Sequence, residues 1–131
     1  MWIDTHCHLD AHEFGGESLA VAARAGQDSV AMIVIPAVER GNFEVVRALA
    51  HAAPNASYAL GIHPIFVPRA TDEDLAFLRE RVQQSLSDPR FVAIGEIGLD
   101  FFIPMLCEPD MRAKQERFFR EQLRIAIVTW I

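Results

Sequence analysis

Cysteine is scarce in this sequence. Cys7 and Cys107 are the only two, far apart and in no paired pattern, so no disulfide framework and no Cys-x-x-Cys motif is available. Long apolar runs are missing too. None approaches the roughly 20 residues needed to cross a bilayer, and no basic patch precedes an apolar stretch at the N-terminus. These absences argue against a transmembrane segment and a secretory leader, and they fit a soluble, reducing, cytoplasmic setting. A Gly-rich phosphate loop and a Gly-x-Ser-x-Gly elbow are likewise absent, so a serine or cysteine nucleophile is not the preferred mechanism. Positive charge is in short supply: 12 Lys and Arg against 18 Asp and Glu give a formal net charge of −6. That speaks against broad electrostatic wrapping of nucleic acid. It leaves room for a nucleic-acid substrate held through metal ions, because the ions then supply the positive charge.

What is present suits a folded domain. Hydrophobic residues make up 51% of the 131 and charged residues 23%, which is enough apolar surface for one ordinary domain with a core. Strand and helix signals alternate. Trp2 to Thr5 reads as a short strand, and Ser18 to Ala25 as a helix with Ser18 as N-cap and Gly26 at its end. Val30 to Ile35 is a continuous apolar run closed by Pro36, the pattern of a strand buried on both faces. Asn42 is placed to cap a second helix, with Phe43, Val46, Leu49 and Ala50 at helical spacing. Ser57 to Gly61 is a third strand. Thr71 opens a helix with Asp72, Glu73 and Asp74 in its first turn, and Leu75, Leu78, Val82 and Leu86 as its buried face. Phe91 to Gly95 is a fourth strand, and a last helix starts near Met111. Four such alternations predict βαβ units and a parallel sheet.

Ionisable residues recur just after the strands, where α/β folds bind their ligands. His6 and His8 share strand parity, so their imidazoles can converge on one metal ion. Asp4 has the same parity and could orient an imidazole N–H from beneath. Cys7 has the opposite parity and reads as a small buried hydrophobe. Glu96 follows an all-apolar strand between Gly95 and Gly98, and a carboxylate there can offer its two oxygens to two cations. His63, held extended by Pro64, reads either as a substrate contact or as a turn histidine bonded to the backbone. Asp100 could order the loop after the fourth strand or touch substrate. His12 and His51 carry no assignment.

Together, Ile3-Asp4-Thr5-His6-Cys7-His8-Leu9-Asp10, Gly61-Ile62-His63-Pro64 and Gly95-Glu96-Ile97-Gly98-Leu99-Asp100 resemble, in order and spacing, the TatD-type metal-dependent deoxyribonucleases. The likeness runs from residue 2 to about residue 126. It implies a (β/α)8 barrel of the TIM type, of which this chain covers roughly the first four β/α units. It also implies two divalent metal ions (Zn²⁺, Mn²⁺ or Mg²⁺), with His6 and His8 as ligands of one and Glu96 as the carboxylate between them. The implied reaction is hydrolysis of phosphodiester bonds in DNA; His63 and Asp100 match motif positions without an implied ligand role and are assigned to substrate binding. The family's later histidine ligands and late aspartate fall on strands beyond the four read here, and after Leu123 the sequence runs on as an apolar tail to Ile131. The expectation for the 131-residue chain is therefore half a site, weak metal binding and little nuclease activity unless it self-associates through open sheet edges. Two other readings stand beside this one: a related barrel hydrolase acting on amides, lactones or phosphotriesters, and an inactive truncated fragment.

Overall fold

Short β-branched runs closed by Pro or Gly form strands here, and the amphipathic segments between them form helices that cover one face. A computed structural model describes residues 1–129. The strands are β1 (Trp2–Asp4), β2 (Val30–Pro36), β3 (Ala56–Leu60) and β4 (Phe91–Ile94). Helices α1 (Ser18–Gln27), α2 (Phe43–Ala52), α3 (Asp72–Ser85) and α4 (Pro109–Thr129) follow them in turn. Each loop that leaves a strand carries a 3-10 turn: His12–Phe14, Arg40–Asn42, Pro64–Arg69 and Pro104–Cys107.

All three strand pairings are parallel, and the sheet order β1-β2-β3-β4 repeats the chain order. Sequential βα addition with helices on one face builds half of a closed barrel, and β1 and β4 are its edges. β3, the best covered strand, is buried at every position, as expected for an interior strand of a parallel sheet. The core lies between sheet and helices. Ile33, Ile35, Tyr58 and Leu60 from the strands meet Phe43, Val46, Leu78, Val82, Phe118 and Ile125 from the helices, none more than 3% exposed. Each such side chain contributes on the order of 1.5–3 kcal/mol by leaving water.

Thr71 caps α3 as read: its hydroxyl accepts from the Asp74 amide while the Asp74 carboxylate accepts from the Thr71 amide. Several local expectations are corrected. Ser18 is inside α1, not its cap, because its hydroxyl donates to the Leu9 carbonyl at 2.6 Å and ties the helix to the first loop. Gly26 does not end α1, which continues to Gln27. Asn42 precedes α2 without capping it, since its side chain is engaged elsewhere. Leu86 lies beyond the end of α3 and is 41% exposed; Ser85 takes the fourth buried position. Helix α4 starts at Pro109 and continues to Thr129, so most of the expected tail is helix; Trp130 and Ile131 lie outside the described residues.

Candidate metal centre

The first loop is shaped by Asp4. As the last residue of β1 it turns its carboxylate onto the backbone amide of His6 at 3.1 Å, so the strand stops there and the chain bends. His6 and His8 therefore leave the strand before strand parity can place them, and Asp4 holds a backbone, not an imidazole. Between them the Cys7 amide donates to the Val34 carbonyl at 3.0 Å, which keeps the loop against β2. Cys7 turns inward and packs on the core as expected, and burial pushes its thiol pKa up.

Glu96 arrives from the other edge of the sheet. The Gly95 amide donates to the Leu60 carbonyl at 2.9 Å and the Glu96 amide to the Ala37 carbonyl at 2.8 Å, so the backbone is fixed across β3 and β2. The Gly95–Glu96 peptide is cis. Gly61 lies directly beneath it: a Cβ at residue 61 would stand 2.7 Å from the Gly95 carbonyl carbon and 3.0 Å from the Glu96 nitrogen. Only a residue without a side chain permits that approach.

Three ligand atoms then meet at one point. His6 Nε2 lies 3.0 Å and His8 Nε2 3.1 Å from Glu96 Oε2, and the two nitrogens are 3.2 Å apart. Lone pairs so close repel unless a proton or a cation lies between them. A tetrahedral or octahedral ion with bonds of about 2.0–2.1 Å separates its neighbouring ligand atoms by about 2.9–3.4 Å. The observed triangle has those edges, so the donor set fits one divalent cation. His6 and Glu96 side chains are 51% and 26% exposed, which leaves the cluster open to solvent and substrate.

His63 completes the carboxylate's surroundings. Its Nδ1 accepts from the Ile65 amide at 3.0 Å, which assigns the ring hydrogen to Nε2. That Nε2 lies 3.2 Å from Glu96 Oε1. His63 is thus a turn histidine bonded to the backbone and, at the same time, a close neighbour of the oxygen that does not face His6 and His8. Asp100 stands apart: its Oδ1 accepts from the Phe102 and Ile103 amides at 2.9 and 3.4 Å, which orders its own loop, and it is not one of the clustered ligands.

Beside the cluster lies a cleft of about 780 Å³ whose walls include His8, Asp10, Phe14, Asn42, His63 and Phe66. Asn42 braces it, accepting from the Val38 and Glu39 amides and donating to Asp10 Oδ2 at 2.9 Å. That is the role which displaced the expected helix cap. At the opposite ends of the strands Asp88 accepts from buried Tyr58 and pairs with His51, both at 2.8 Å. Burial alone would raise the Asp88 pKa, but hydrogen bonds from His51, the Arg90 amide and Tyr58 outweigh it and bring it below 3.8.

Sequence reading passed over two residues that matter here. Gln115 and Gln122 on α4 are 0% and 1% exposed. Gln115 accepts from the Asp100 amide and donates to the Asp100 and Leu106 carbonyls, while Gln122 accepts from the Ile62 amide and donates to the Ile62 carbonyl. The signal was available: both interrupt an apolar stripe shared with Phe118 and Ile125.

A parallel α/β half barrel carrying a His-His-carboxylate cluster at the carboxyl ends of its strands defines a class, the α/β barrel proteins with side chains there that could hold a metal ion. Within it, the chain belongs to the TatD related DNase family, whose family model matches residues 3–129. It is 39% identical over 127 residues to the Escherichia coli K12 protein named uncharacterized metal-dependent hydrolase YjjV, covering 95% of this chain and 46% of that one. The crystal structure of YJJV, a TatD homologue from Escherichia coli K12, superposes with a TM-score of 0.88 at 36% identity, covering 99% of this chain and 48% of that chain. Human deoxyribonuclease TATDN3 is 27% identical over 130 residues, covering 95% of this chain and 47% of that protein. The chain spans about half the length of the curated relatives it matches. Among the described residues no helix is long and apolar enough to cross a membrane.

Proposed function

We propose that this chain carries part of the active site of a divalent-metal-dependent hydrolase that cleaves phosphodiester bonds of DNA. The observation that supports it best is the triangle of His6 Nε2, His8 Nε2 and Glu96 Oε2, which has the edge lengths of a metal ligand set. His6, His8 and Glu96 would hold a divalent cation, with Glu96 the carboxylate shared with a second one; Zn²⁺, Mn²⁺ and Mg²⁺ all suit histidine and carboxylate donors. Bound cations supply Lewis acidity for a phosphoryl oxygen and a hydroxide nucleophile near neutral pH. The chain's own residues do the rest. Glu96 is the catalytic carboxylate, His63 lies beside it in the wall of the cleft, and His63 and Asp100 are the residues read as substrate contacts. The relative named deoxyribonuclease supports DNA as substrate. A cytoplasmic location belongs to the same reading.

Both sheet edges are open, and Trp2, Ile3 and Val92 on them are 72%, 63% and 44% exposed. That favours self-association of the 131-residue chain, with the monomer a weak metal binder and a poor nuclease. The test is Mn²⁺-dependent cleavage of single- and double-stranded DNA by size-fractionated protein, alongside Glu96→Gln and His6→Ala. Expected are little turnover in the monomer fraction, activity in the associated fraction, and loss in both variants. Turnover that survives Glu96→Gln overturns the site, and robust turnover by the monomer overturns the need for association.

A further inference from the structure

Glu96 is supported from β3 by two contacts, and both originate from residues flanking Ile62. Gly61 lies so close to the Gly95–Glu96 peptide that a Cβ there would stand 2.7 Å from the Gly95 carbonyl carbon, and His63 Nε2 lies 3.2 Å from Glu96 Oε1. Beside the backbone bonds from Gly95 and Glu96 to Leu60 and Ala37, whatever fixes the peptide groups of Ile62 therefore bears on the carboxylate. Ile62 lies past the end of β3 at Leu60; on one side the His63 amide still donates to the Val38 carbonyl at 2.8 Å, and the remaining polar groups of Ile62 face α4. The Gln122 side chain takes up those groups. Its Oε1 accepts from the Ile62 amide at 2.7 Å and its Nε2 donates to the Ile62 carbonyl at 3.1 Å, which specifies position and orientation together.

We infer that Gln122 of α4 is a positioning residue for the metal centre, its buried amide gripping both polar groups of Ile62 so that Gly61 and His63 hold Glu96 in register with His6 and His8. Its surroundings agree with this. Gln122 is 1% exposed, and neither of its bonds serves its own helix. The same helix anchors the β3 loop again through Lys114, whose ammonium donates to the Pro68 and Ala70 carbonyls at 3.2 and 2.7 Å. Two turns before Gln122, Gln115 grips Asp100 in the loop that follows Glu96. Helix α4 thus sets the spacing of the two loops that bring His63 and Glu96 together.

The inference rests on the reading of His6, His8 and Glu96 as cation ligands. Its test is Co²⁺ titration of the 131-residue chain, followed by visible absorption, with thermal unfolding of the metal-free protein measured in parallel. Gln122→Met keeps side-chain length and removes both hydrogen bonds. Co²⁺ affinity should fall about tenfold, the scale for groups that orient metal ligands, with an altered absorption band at saturation. Phe118→Leu, in the same buried stripe, should lower the melting temperature yet leave affinity and band unchanged. Gln122→Asn keeps an amide one methylene short of Ile62 and carries the test if Gln122→Met does not fold. Wild-type affinity and band in a folded Gln122 variant overturn the inference, as does a Phe118→Leu effect of equal size. Absence of Co²⁺ binding by the unaltered chain overturns the cation reading first, and this inference with it.

Discussion

His63 Nε2 lies 3.2 Å from Glu96 Oε1 while its Nδ1 accepts from the Ile65 amide. One ring thus couples the turn after β3 to the carboxylate after β4. That contact lies on the carboxylate oxygen opposite Oε2, which faces His6 and His8. Replacing His63 by Ala removes that neighbouring imidazole without touching a ligand atom of that triangle. Mn²⁺ affinity measured calorimetrically should fall about ten- to a hundredfold. An unchanged affinity would show that the carboxylate is held by other means.

Cation binding should register as stability. A ligand that binds only the folded chain adds about 2.7 kcal/mol at a hundredfold excess over Kd, which raises Tm by about 10 °C for a domain of this size. Glu96→Gln should abolish most of that increment while leaving the metal-free Tm little changed. An equal metal-induced shift in both proteins would place the cation elsewhere.

Gly61→Ala should be costly where Gly95→Ala is not. A Cβ at residue 61 meets the Gly95 carbonyl carbon at 2.7 Å, whereas one at residue 95 meets only Ala59 Cβ at 3.8 Å, an ordinary contact. Overpacking of this kind costs about 1–3 kcal/mol. Thermal unfolding of the two variants should separate them by several degrees, with metal affinity lost only in Gly61→Ala.

Acid stability should depend on Asp88. Its folded-state pKa is lowered, so the stability it contributes is complete above the ordinary value of 3.8 and is lost as pH falls through the lower folded value. Asp88→Asn should therefore destabilise the chain at pH 6, by about 1–3 kcal/mol for a hydrogen-bonded charge. The difference from wild type should shrink below pH 3.8. Denaturant titrations across that range measure it, and a gap that stays constant would refute the assignment.

The pattern of apolar runs and turn residues was sufficient to read four strands, four helices and a parallel sheet. β3 is buried throughout, but β2, read as buried on both faces, is buried only at Ile33, Ile35 and Pro36 because it lies next to the edge strand β1; Thr71 opens α3 as read. His6, His8 and Glu96 were legible because each follows a strand directly. The route by which they meet was not. Asp4 ends β1 early by taking the His6 amide, a local competition that periodicity cannot register. Asn42 and Ser18 were read as helix caps because their residue types favour it, yet tertiary partners, Asp10 and the Leu9 carbonyl, claim both side chains. The grip of Gln122 on Ile62 spans 60 positions, a pairing that no local pattern encodes.

β1 and β4 are the first and last strands of a four-stranded sheet. Laid flat, strands spaced about 4.8 Å apart would keep them roughly 14 Å from each other. Yet the loops they launch bring His6 and Glu96 to 3.0 Å. A cation seated there would act as a drawstring at the mouth of the sheet, resisting its tendency to splay. Metal content would then govern the curvature of the whole half barrel, and with it the angle at which each edge strand is offered to whatever completes the ring.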